Sequence, residues 1–224
     1  TLFLTRQRAD RELAGPRDLR ITHLALGPIS AARGVWTEAL GKSKLAQDTD
    51  ATLPADTALV LDSEGGSHRI ALRTLDEARD TGALDGARAV PSPAGPYGRT
   101  LEIVAADDAA AQALAAVASR LGALPYRTRA NRSALLQLAS TAASGEDTLD
   151  AQALVAFDLT MNGLAEDPEL LDVAACTAGI TPVFSGGPFT RLWQARGRLV
   201  PQFQGAAATA WPALAQRLSQ SYPE

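Results

Sequence analysis

The chain has 224 residues, of which 46% are hydrophobic, with a formal net charge of −4 and one cysteine. This composition can bury a sizeable core, and it excludes both an internal disulfide framework and a cysteine-based zinc cluster. The acidic balance and scattered arginines supply no clustered positive surface, so neither nucleic acid nor an anionic membrane is expected as a partner, and no apolar run reaches the roughly 18 residues of a membrane-spanning helix.

Residues 1–18 read as an N-terminal extension. Thr1–Thr5 is a short strand without the apolar length of a secretory leader, and the charged stretch Arg6–Glu12 is broken by Gly15-Pro16. With a lone cysteine, Cys176, the cytoplasm is the expected compartment.

Leu19–Leu26 is a buried strand. Ile29–Leu40 fits an amphipathic helix, with Ser30 as N-cap, Val35, Trp36, Ala39 and Leu40 at helical spacing, and Gly41 as the stop. Thr57–Leu61 and His68–Arg73 form a hairpin around Glu64-Gly65-Gly66, and Leu75–Leu84 is a short helix. Pro91–Gly98 holds three prolines and two glycines, which makes it a loop. Arg99–Val104 is a strand, Asp107 or Asp108 caps a helix over Ala109–Leu121, and Gly122 closes it. Two β-α units spaced by roughly 80 residues suggest an internal duplication.

Beyond residue 125, Ser133–Ala143 reads as helix or strand, Ala153–Thr160 as a strand, Glu166–Ala178 as mixed, and Phe189–Phe203 as a hairpin turning at Arg196-Gly197. Ala206–Gln220 is helical, with Pro212 best placed near its first turn. The expected class is α+β, with paired βαβββ-like modules over residues 19–145 on a mixed sheet and a C-terminal α+β region over 146–224. Asp158, Thr177 and Gln204 are polar residues in apolar surroundings, each needing a partner or a role.

The two histidines, His23 and His68, each open a strand. Neutral imidazole is the commonest metal ligand, and histidines on separate strands converge when an approximate two-fold relates the strands. With a carboxylate from Glu102 they make a two-nitrogen, one-oxygen set whose open positions suit a divalent ion that binds substrate. The competing reading is that each histidine is a half-buried strand residue.

The segment from Ile21 to Gly41, ending Trp36-Thr-Glu-Ala-Leu-Gly41, resembles the opening of a vicinal-oxygen-chelate module, the glyoxalase and extradiol-dioxygenase superfamily. His68-Arg-Ile-Ala-Leu72 is similar to that family's second histidine strand, and Tyr97-Gly-Arg-Thr-Leu-Glu-Ile103 to its glutamate strand. The resemblance, over residues 19–125, implies His23, His68 and Glu102 as metal ligands, with Glu64 and Glu102 as catalytic carboxylates. It implies metal-assisted chemistry on a small substrate with vicinal oxygens, and leaves room for a homodimer. An alternative keeps the fold and loses the metal, with a pocket that sequesters a small apolar ligand. A second alternative rests on Val155–Met161 and Arg191–Gln204, similar to strands of hotdog-fold acyl-CoA thioesterases, where Gln204 would orient water.

Overall fold

The computed structural model describes residues 21–26, 47–49, 59–63, 66–72, 88–91, 99–104, 108–120, 122–128, 132–141, 148–165 and 167–222. The expected elements at Thr1–Thr5, Ile29–Leu40 and Leu75–Leu84, and the loop residues 92–98, lie outside them.

Among the described residues seven strands form one mixed sheet in the order β2-β1-β3-β4-β5-β6-β7. They are β1 Ile21–Leu26, β2 Gln47–Thr49, β3 Leu59–Ser63, β4 Gly66–Leu72, β5 Arg88–Pro91, β6 Arg99–Val104 and β7 Ala123–Thr128. The hairpin expected around Glu64 is present as the antiparallel β3–β4 pair, with Ser63 opposite Gly66. β1 pairs β2 in parallel, and β6 pairs β7 in parallel.

A parallel pair needs a crossover, and for β6 and β7 it is helix α1, Asp108–Arg120. Ala111, Leu114, Ala115 and Ala118 recur at helical spacing and are all buried, which gives α1 one apolar stripe against the sheet. Gly122, at φ +68°, lets the chain turn directly into β7. Among the described residues β7 is an edge strand, and Pro125 fits there because a proline has no N–H to contribute to a further ladder.

After β7 the described residues are helical. The helices are α2 Ala134–Thr141, α3 Thr148–Met161, α4 Pro168–Thr177, α5 Pro188–Gln194, α6 Arg196–Leu199 and α7 Ala206–Ser221, with 3-10 turns at Val183–Ser185 and Val200–Gln202. The class is α+β, but two expectations fall. Ala153–Thr160 is the middle of α3 and not a strand, because it is an apolar run in a buried helix, which carries no period able to tell helix from strand. Phe189–Phe203 is not a hairpin; Pro188 occupies the first helical turn, where its fixed φ and missing N–H cost nothing, and Phe189, Leu192 and Leu199 point into the core.

Helix α7 spans the expected segment, but Pro212 sits inside it beyond the first turn. Pro212 and Ala208 are both exposed, so water can solvate the carbonyl that the proline leaves without its usual N–H.

Leu124 and Tyr126 of β7 share one core with Leu135 and Leu138 of α2, Phe157 of α3, Leu171 of α4, Phe189 and Leu192 of α5 and Leu218 of α7. Against it Phe157 stacks on Phe203 at 4.3 Å between ring centres, with Trp211 edge-on to Phe203 at 5.8 Å. The core therefore runs without a break from β7 into the C-terminal helices. No helix among the described residues is long and apolar enough to cross a membrane.

Candidate functional site

Both faces of β6 are covered. Thr100 and Glu102 reach the C-terminal helices, Thr100 Oγ1 donating to the Ala174 carbonyl of α4 at 3.2 Å, while Leu101 and Ile103 alternate to the side of α1. Glu102 is 0% exposed. Its Oε1 accepts from Thr128 Oγ1 at 2.7 Å, Ala134 N at 2.7 Å and Leu135 N at 3.3 Å, and its Oε2 accepts from the Ser133 hydroxyl. Ser133 in turn receives Leu136 N at 2.9 Å.

The result is a two-level cap. Ser133 is the local N-cap of α2, and a carboxylate from the neighbouring sheet takes the remaining free N–H groups at the positive end of the helix. Burial pushes the Glu102 carboxyl above its ordinary range, opposed by the bonds from Ser133, Thr128, Ala134 and Leu135.

This bears on the metal that the sequence resemblance implies. A carboxylate offers about four lone-pair sites. Three donors meet Oε1 and one meets Oε2, and the side chain is 0% exposed, so an ion could reach it only by displacing the cap of α2, and its surroundings do not fit a metal ligand. His23 stands opposite Asp62 and His68 opposite Leu61, on the two strands that flank β3. Leu61 and Asp62 are consecutive, and successive positions of a strand belong to opposite faces. Glu102 lies on β6, separated from the strand of His68 by β5, and is not brought to the histidine pair. Glu64 falls outside the described residues.

The residues behind the thioesterase resemblance are placed differently from a hotdog sheet. Val155–Met161 and most of Arg191–Gln204 are helical, and Gln204 is exposed just before α7. Asp158 is exposed as well, and only Thr177 of the three polar residues singled out is buried.

A second buried acid was not legible in the sequence. Asp172, in the middle of α4 and 3% exposed, accepts from Phe189 N at 2.6 Å, Thr190 N at 2.8 Å, Thr190 Oγ1 at 2.8 Å and the Tyr222 hydroxyl at 2.9 Å. It caps α5 from a different helix, since the N-cap residue of α5 is Gly187 and has no side chain to do so. The one sequence signal was the run Gly186-Gly187-Pro188, a helix start lacking its own cap. Burial pushes Asp172 up to about 7, against the bonds from Phe189, Thr190 and Tyr222. The nearby Cys176 thiol is pushed up to about 12 by burial and by the Asp172 charge, so it is inert as a nucleophile.

A third acid, Asp150 in the first turn of α3, receives Arg191 Nε at 2.8 Å and the Arg198 guanidinium, which ties α5 and α6 to α3. The Arg198 bond, then Arg191, holds its carboxyl below the usual range in spite of partial burial.

Asp172 and Asp150 give opposite pH dependences. The folded value of Asp172 lies above its unfolded 3.8, so its contribution to stability is complete below about pH 4 and is lost as pH rises to about 7. The Asp150 value is depressed, so its contribution is present above 3.8 and is lost as pH falls through the folded value. Glu102 acts in the sense of Asp172. The urea midpoint is expected to be highest on the acid side of neutrality and to fall towards pH 8; a midpoint that rises from pH 5 to 8 would contradict the burial of Asp172 and Glu102.

Comparison of the chain with family models, with curated proteins and with solved structures gives no match.

Proposed function

We propose that the chain is a cytoplasmic small-molecule-binding protein that holds a ligand with vicinal oxygens by hydrogen bonds and works without a metal at Glu102. The observation that carries the metal-free part of this reading is that Glu102 is buried and held by four donors as the cap of α2, so a cation could bind it only at the expense of that cap. The resemblance over residues 19–125 supplies the ligand class, and the proposed binding region is the part of the sheet formed by β1, β3 and β4, where His23 and His68 stand on opposite faces and one of the two meets the ligand. The paired βαβββ-like arrangement and a homodimer belong to the same proposal.

The test is metal analysis after incubation with manganese, nickel or zinc and dialysis, alongside thermal shifts with catechol and a 2-oxoaldehyde hemithioacetal. Retention well below one equivalent of metal, together with a thermal shift by one of these compounds that His23→Ala or His68→Ala removes, is expected. One equivalent of metal that both variants lose would overturn the metal-free reading and favour metal-assisted chemistry through the histidines.

A further inference from the structure

The end of α7 is fastened to α4 by three polar contacts. Arg217 Nη2 lies 3.3 Å from Asp167 Oδ1, the Ser221 hydroxyl donates to Glu169, and the Tyr222 hydroxyl donates to Asp172 at 2.9 Å. The first is at the surface, where ion pairs contribute little. The Tyr222–Asp172 contact is different, because Asp172 is 3% exposed and its hydrogen-bond partners are N–H and O–H groups with no cation among them.

We propose that Asp172, Thr190 and Tyr222 form a proton-responsive clasp on the C-terminal end of α7, closed when the Asp172 carboxyl is neutral and loosened when it is ionised.

The geometry accommodates the neutral form without loss. Phe189 N keeps Oδ1, Thr190 N and the Tyr222 hydroxyl keep Oδ2, and Thr190 Oγ1 can accept the carboxyl proton while donating to the Gly186 carbonyl at 2.9 Å. The ionised form keeps its four bonds but holds a full charge away from water, and lifting Tyr222 is the smallest movement that readmits solvent. Asp172 is 3% exposed with no cation among its partners, so opening exchanges the single Tyr222 bond for hydration of an otherwise buried charge.

The charged and titratable groups around the cluster do not offset this. Cys176 on α4 and Tyr222 are neutral near pH 7, and Glu169 and Asp167 add negative charge towards Tyr222. Arg191 on α5 is paired with Asp150 on α3, Arg217 on α7 with Asp167, and Arg127 on β7 with Asp108, while Glu102 on β6 is held by its own donors. Helix α2 carries no charged residue, and Asp158 of α3 is exposed. The inference stands apart from the ligand reading and uses none of its residues.

Hydrogen exchange of the full chain, followed by mass spectrometry on peptides spanning residues 214–222 and corrected for intrinsic rates, tests it. Because the closed state has the higher affinity for the proton, opening should grow as pH rises from 5 to 7, by up to roughly tenfold per unit, and level off above 7. A control peptide from α3 should not follow. Asp172→Asn, neutral at every pH, should abolish the dependence and keep the clasp closed at pH 8. Protection of 214–222 that is flat with pH, or a dependence that persists in Asp172→Asn, overturns the proposal. Should Asp172→Asn not fold, the carboxyl ¹³C titration of Asp172 in the unmodified protein decides: a midpoint near 7 supports the clasp and one near 4 overturns it.

Discussion

Glu102→Ala is expected to destabilise the protein by about 3–5 kcal/mol. The substitution removes a carboxylate that is 0% exposed and strands the hydroxyls of Thr128 and Ser133 and the N–H groups of Ala134 and Leu135 away from water. It also withdraws the negative partner from the N-terminal end of α2, and with it the joint between β6 and the helical core. Glu102→Gln keeps one oxygen as acceptor and the shape of the side chain, so a loss of about 1–3 kcal/mol is expected. Urea denaturation followed by circular dichroism measures both. A change within about 0.5 kcal/mol for Glu102→Ala, the range of an ordinary surface substitution, would mean that the clamp does not exist as described.

Gly187→Ala is expected to cost a similar amount, about 3–5 kcal/mol, for a different reason. Gly187 sits at φ +107°, and a Cβ there would lie 2.5 Å from both Cβ and Cγ of Asp172 and 2.7 Å from its Cα. The glycine is what permits α5 to start close enough for Asp172 to reach Phe189 N and Thr190 N. Gly179→Ala is the natural control: its φ is +72°, but a Cβ would meet nothing within 4 Å, so only backbone strain of about 1–2 kcal/mol applies. Thermal or urea unfolding of the two variants separates strain from collision, and equal losses would remove the collision from the account.

The parts of the fold that were legible before the structure have local causes. The β3–β4 hairpin follows from Glu64-Gly65-Gly66 between two apolar alternating runs, and helix α1 from an alanine-rich stripe ended by Gly122. Helix α7 was legible for the same reason, with only the position of Pro212 misplaced. What failed was the buried C-terminal half. The run from Ala153 to Thr160 is apolar on more than one side because α3 packs between neighbours, and a run without a period carries no message about its conformation.

The candidate site divides in the same way. The sequence resemblance implies Glu102 as a metal ligand and catalytic carboxylate, whereas in the structure it caps α2, a position that depends on Ser133 some thirty residues further along. Ser133 alone, a serine before the run Ala134–Leu138, could have announced a helix start. Nothing near Asp172 in sequence could have announced that it caps a helix beginning at Pro188 or receives Tyr222 from the last turn of α7.

The sequence by itself determined the α+β class, the β3–β4 hairpin, helix α1 and the C-terminal helix, because turn residues, caps and apolar periods act over a few residues at a time. Only the tertiary structure decided what the buried acids do. Glu102, Asp150 and Asp172 each bind partners from other elements, and whether a carboxylate holds a cation, a pair of arginines or the free end of a helix is set by which donors the folded chain delivers to it.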